Sequence, residues 1–146
     1  MNAALKAVTL LACIALPNAL ALADQAQATL RTISIKINNS NLETEIAISS
    51  KQRYMGLSFR KHLGADAGML FVYSNEQMLV FTMRNTLLPL SIAYIAEDLT
   101  INEIQHMNVG PKQLFPTTKA ARYALEVNQG WFATNNIKPG DKLILP

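Results

Sequence analysis

Cysteine is almost absent from this chain: Cys13 is the only one, and it lies inside an apolar N-terminal run. If that run is removed on export, no thiol remains. Disulfides, thiolate nucleophiles and thiolate metal sites are then excluded, and core packing alone must hold the fold. Charge is sparse too, with 13 basic and 10 acidic residues among 146. So small an excess gives no argument for nucleic acid or a membrane surface as partner. The glycine patterns of phosphate loops and dinucleotide sites are missing, as are internal repeats, low-complexity segments and any long crossover helix. Enzymes built on a nucleotide-binding βαβ unit are therefore disfavoured.

What is present begins with Lys6, the apolar run Ala7 to Leu16, Pro17 and the small-residue ending Ala21-Leu22-Ala23. This is the pattern of a cleaved secretory signal over residues 1–23, and it implies a periplasmic or secreted protein with no stable membrane insertion after cleavage. Lipidation at Cys13 is the lesser alternative, because the apolar run before it is short and continues past it. Residues 24–146 are left as a single β-rich domain with one core. Without Lys6 the balance is 12 basic against 10 acidic residues, a net charge of +2.

Thr32 to Ile37 alternates polar and apolar residues with period two, and Glu43 to Ile48 does so less strictly. Both read as half-buried strands joined through the turn Asn38-Asn39-Ser40-Asn41. Ser49-Ser50-Lys51-Gln52 has the form of a capping box opening a short helix to about Leu57, weakened by Gly56. Further strands are expected over 68–73, 79–83, 91–95, 101–107, 123–127 and 141–145, with a hairpin turn at 97–100 and a loop over 110–118. Trp131 to Asn136 reads as a short helix or turn, and Trp131 and Phe132 as the closure of a core or an exposed aromatic platform. The expected fold is mainly β: an antiparallel sandwich or barrel-like domain with one or two short helices, in which a parallel sheet is not anticipated.

Chemistry-bearing residues concentrate in two places. Between Glu45 and Asp66 there is no acidic residue, whereas Lys51, Arg53, Arg60, Lys61 and His62 all fall there. A loosely extended helix would project Arg53 and Arg60 from one face, with Met55, Leu57 and Phe59 supplying apolar contacts. In the apolar stretch Phe81 to Ile95, the cluster Arg84-Asn85-Thr86 must find partners or a ligand, because a buried cation and amide are costly when unpaired. His62, His106 and the five methionines after residue 23 raise soft metal ligation. Met69 and Met83 sit in core-like strand patterns, however, and His106 and Met107 must face opposite ways on a strand, so no metal or other cofactor is assigned.

The segments "RYMGLSFR" (53–60), "GMLFVY" (68–73), "FTMRNTLLPLSIAYI" (81–95), "LEVNQG" (125–130) and "IKPGDKL" (137–143) occur in an order that resembles the family called domain of unknown function 192. The resemblance spans roughly Ile33 to Leu145. It implies a compact, mostly antiparallel β fold, often exported, with no established biochemical activity. It also places the family's polar motif residues at Arg53, Arg60, Arg84, Asn85, Thr86 and Glu126, and turn positions at Gly56, Gly68, Pro89, Gly130, Gly140 and Asp141. Two residues depart from the family pattern: Thr82 stands where an aromatic is usual, and Ser91 where an aspartate is usual.

The reading placed first is a binding module in which Arg53, Arg60 and Arg84 receive an anionic small molecule or acidic cell-envelope carbohydrate, with Asn85, Thr86 and Glu126 completing the site. An enzyme using Glu126 as general base, with arginines stabilising a developing anion, ranks below it. A single plausible carboxylate argues against a paired-carboxylate glycosidase, and Ser58 or Ser91 with a histidine is too generic for a hydrolase triad. The third reading is a purely structural or interaction domain, its arginines tied to backbone carbonyls and to Glu126. The oligomeric state is not read from the sequence.

Overall fold

Ile33, Ile35 and Ile37 point to one side of β1 (Thr32–Ile37) and the hydrophilic residues to the other, and the chain reverses at Asn38, whose φ of 53° suits asparagine. It returns as β2 (Ser40–Ala47), in register from Ile37 opposite Ser40 to Thr32 opposite Glu45. The computed structural model describes residues 25–110 and 112–146, so the expected signal segment lies outside the described residues.

The Ser49 capping box forms as expected: the Ser49 hydroxyl accepts from Gln52 N–H, and the Gln52 side chain accepts from the Ser49 N–H. It opens α1 (Ser50–Met55), which ends where Gly56 takes a φ of 48° and bonds back to the Gln52 carbonyl. Phe59 also has positive φ, at 61°. The helix therefore does not carry Arg53 and Arg60 on one face, contrary to the expectation from spacing.

After this crossover come β3 (Ala67–Gln77), β4 (Val80–Thr82), β5 (Leu90–Ile95), β6 (Ile101–Met107), β7 (Leu114–Pro116), β8 (Ala121–Asn128), α2 (Trp131–Thr134) and β9 (Leu143–Ile144). Seven strands form one curled, half-barrel sheet in the order β6-β5-β8-β3-β2-β1-β9, while β4 and β7 form a separate two-stranded sheet. The mainly β expectation holds, with two corrections. β2 and β3 pair in parallel, because the crossover over 48–66 is long enough to return the chain to the same end of the sheet. Residues 114–116, expected as loop, are a strand because they find β4 as a partner.

The centre of the sheet, in β5 and the middles of β3 and β8, is buried on both faces. Across its centre, Leu70, Leu125 and Ala93 form one row, in register on β3, β8 and β5. They join a core with Ile35, Ile37, Trp131, Phe132 and Leu143. On the opposite face Met69, Glu126 and Ile92 form one row, and Phe71, Ala124 and Tyr94 the next. These rows are covered by Leu57 and by the inward residues of the β4 segment, Leu79, Phe81 and Met83. Phe81 packs edge-on between Phe71 and Tyr94, at centroid distances of 4.9 and 5.8 Å. Trp131 and Phe132 close the first core, and Trp131 Nε1 donates to Asp66 at 2.9 Å, so they form no exposed platform.

Gly68, expected at a turn, lies inside β3, and a Cβ there would sit 2.7 Å from the Glu126 carbonyl and 3.1 Å from Val127 Cγ1. Close approach of β3 to β8 is what requires glycine. We expect Gly68→Ala to lower unfolding free energy by about 1–3 kcal/mol, read as a shifted midpoint in denaturant titration.

Candidate functional site

A cleft of about 200 Å³ opens on the second face of the sheet, between the α1 turn and β4. One wall is residues 53–58, the other is Val80, Phe81 and Thr82, and Glu126 lies at the floor beside Phe71 and Tyr73 of the neighbouring strand β3. Strand alternation puts the Glu126 side chain here: its neighbours in register, Met69 and Ile92, belong to the core on this face.

Glu126 is 6 % exposed, no hydrogen bond reaches its carboxyl among the described residues, and its oxygens keep contact with the cleft rather than being sealed away. Burial pushes its pKa up to about 8. The group is therefore mainly a neutral acid at pH 7, able to donate one hydrogen bond and accept another. Tyr73, which also lines the cleft, has its pKa raised as well, chiefly by burial, with Arg53 opposing the shift and Glu126 adding to it.

Arg53 is anchored rather than free. Its Nη1 donates to the Ile48 and Val72 carbonyls, and its guanidinium stacks over the Tyr73 ring at 4.6 Å from the centroid. Nε and Nη2 make no hydrogen bond among the described residues, so part of the fork remains for a ligand. Arg84 is exposed, donates to the Tyr54 hydroxyl and stacks on that ring at 5.0 Å. Together Arg84 and Tyr54 link the two walls at the rim.

Of the six positions taken from the sequence, four meet in this cleft: Arg53, Arg84, Thr86 and Glu126. Arg60 does not. It bonds Glu45 at 3.0 Å, away from the cleft walls, and Glu45 also accepts from Leu30 N–H at 2.7 Å. Glu45 and Glu126 share a row with Met69 between them, so their backbones stand about 10 Å apart, two strand spacings. No arginine pairs with Glu126, contrary to the structural alternative. Asn85 builds the turn instead of the cleft: it adopts φ of 60°, and its carbonyl accepts from Phe59 N–H at 2.8 Å.

The sequence reading did not single out Tyr54 and Tyr73, although each adjoins a motif residue, Tyr54 beside Arg53 and Tyr73 at the end of 68–73. It also missed the pairing of Ser91 with His106. Ser91 is in register with Val127 and faces the core opposite the cleft. There its hydroxyl accepts from Gly130 N–H and lies 3.0 Å from His106 Nδ1. The serine in place of aspartate therefore leaves the cleft untouched. Thr82, where the resemblance implied an aromatic, does bear on it, standing as a small side chain on the β4 wall.

Residues 33–145 match the model of a family described as an uncharacterised conserved region, domain of unknown function 192. A crystal structure of a candidate transcription regulator from Sinorhizobium meliloti is similar, with a TM-score of 0.78 and 27 % identity, over 82 % of this chain and 97 % of that one. A protein of unknown function from Novosphingobium aromaticivorans gives 0.75 and 30 %, over 79 % and 86 %. No functionally curated protein matches.

The buried acid makes stability depend on pH with a definite sign. Below the ordinary carboxyl value of 4.5 Glu126 is protonated in folded and unfolded chains alike. As pH rises the unfolded chain ionises first, so its contribution to stability falls until the folded group ionises near pH 8. Each pH unit in that window costs about 1.4 kcal/mol, up to about 5 kcal/mol in all. Glu126→Gln is expected to remove this fall, so that denaturant titrations at pH 5 and pH 8.5 differ much less in the variant than in the parent.

Proposed function

The chain belongs to the family of domain of unknown function 192, and from that premise we propose that its cleft is a binding site for a small anionic molecule: a carboxylate, a phosphate or an acidic sugar. The observation that carries this reading is Glu126, a buried carboxyl without a hydrogen-bond partner among the described residues, at the floor of a cleft rimmed by two arginines. Where the fold needs a carboxylate for its own architecture it pairs it, as Arg60 and Leu30 pair Glu45. Glu126 has no such partner and opens to the cleft instead, where a ligand can supply the missing hydrogen bonds.

In the proposed complex the spare donors of Arg53 and Arg84 take the charged oxygens, as guanidinium forks do. Arg84 exchanges its contact with Tyr54 for the ligand. Neutral Glu126 donates its proton to a further ligand oxygen, and Thr86 and Tyr73 line the path between rim and floor. Export, which the N-terminal segment leads us to propose as well, would place acidic envelope glycans within reach. The regulator name of the Sinorhizobium relative is not carried over, since the described helices are six and four residues long and offer no recognition helix.

A second reading rests on the value near 8 for Glu126, which suits a general acid or base at neutral pH. It requires a turnover that Glu126→Gln abolishes while anion binding survives.

Calorimetric titration with acetate, phosphate, glucuronate and acidic cell-wall fragments tests the binding reading. At least one is expected to bind, Arg84→Ala to weaken it tenfold or more, about 1.4 kcal/mol, and affinity to fall as pH passes about 8 and Glu126 becomes an anion. Binding by none of them overturns the proposal.

A further inference from the structure

Strand β4 has a neighbour on one side only. It pairs with β7, and no other described strand flanks it. The direction of its free groups follows from the register. Thr117 N–H donates to the Leu79 carbonyl directly opposite, which marks a bonding pair, while Leu79 N–H turns to the Thr117 hydroxyl. In an antiparallel ladder bonding and non-bonding pairs alternate. Phe81 and Phe115 are then the next bonding pair, and Val80 opposite Pro116 and Thr82 opposite Leu114 are non-bonding. Proline, which has no N–H, fits its place in this scheme. The N–H and C=O groups of Val80 and Thr82 therefore point away from β7, toward the side where the α1 turn forms the other wall of the cleft. Both residues are exposed, and both line the cleft.

A small anion would use the arginines and leave this edge idle. An extended peptide would use both, because its own N–H and C=O groups recur at about 7 Å on one side, the spacing of the Val80 and Thr82 groups. The cleft holds about 200 Å³, room for a terminal residue rather than a length of chain. At that end stand two guanidiniums with donors to spare, matched to a terminal carboxylate. Leu57, Phe71 and Phe81 offer an apolar wall to the terminal side chain.

We propose that the cleft receives the C-terminal end of an extended peptide, its backbone added to the free edge of β4 and its carboxylate held by Arg84 and Arg53. This deepens the anion-binding reading and rests on it. The partner is thereby a protein or peptide with an accessible, apolar C-terminal residue, and recognition is by main-chain hydrogen bonding plus one charge. Thr82, small where the family usually has an aromatic, leaves the strand edge uncovered for that addition.

Calorimetric titration with acetyl-Ala-Val-Leu tests the proposal, alongside its C-terminal carboxamide, its two isomers N-methylated at Val or at Leu, acetate and glucuronate. The free acid is expected to bind at least tenfold more tightly than acetate, and the carboxamide at least tenfold more weakly than the acid. Only one of the two N-methyl isomers is expected to lose affinity, since alternate amides of a strand face its partner. If acetate or glucuronate binds as tightly as the tripeptide acid, or if both N-methyl isomers bind like the parent, the peptide inference is overturned and the anion reading stands. If no carboxylate binds, acetate included, the peptide inference is overturned, and the anion reading falls with it if phosphate and the acidic cell-wall fragments fail as well.

Discussion

In β5 and β8 the sheet is buried on both faces, so each side chain there is committed to one of two cores, and a polar group on either face must find a partner inside or reach solvent through a cleft. That constraint organises the molecule. It requires covers on both sides, supplied by α2 and the segment around Ile137 on one and by Leu57, just after α1, and the β4–β7 sheet on the other. It demands close strand contact at Gly68. It also makes every polar residue in the central strands a question with a physical answer.

Three such residues receive three different answers. Glu45 is neutralised by Arg60 and held by a backbone N–H, a closed arrangement that leaves only Arg60 Nε unsatisfied. Ser91 is absorbed into the opposite face by Gly130 N–H and His106. Glu126 has neither kind of partner, and the layers above it part there to form a cleft. The low local dielectric that raises its pKa would also strengthen a hydrogen bond donated from it to a ligand oxygen. The covering layer sets the rest of the site: α1 brings Arg53 and Tyr54, and the turn after β4 brings Arg84 and Thr86.

Much of the architecture was readable because it is local. The isoleucine alternation in β1, the reversal at Asn38 and the capping box at Ser49 depend on residues within a few positions of one another. So does the opposed facing of exposed His106 and buried Met107. The errors came where a local signal met a distant partner. Residues 114–116 look like loop, with two prolines nearby, until β4 is set beside them. The parallel pairing of β2 and β3 has no signature in either strand. Arg53 and Arg60 share helical spacing only if Gly56 continues the helix, and it ends it.

By itself the sequence determined that the chain is β-rich, that thiol chemistry is confined to Cys13, and that Arg53, Arg84, Thr86 and Glu126 are among the residues to account for. Tertiary structure alone decided which of them meet. Residues far apart in the chain converge only through the register of β3, β8 and β5 and through the covering layer, and a slip of one residue in β8 would turn Glu126 to the other core. The helix end at Gly56 separates Arg60 from Arg53, and the β5–β8 register sends Ser91 to the far face. Which charges are paired and which are left open to a cleft depends on distances across strands, and no spacing along the chain encodes those.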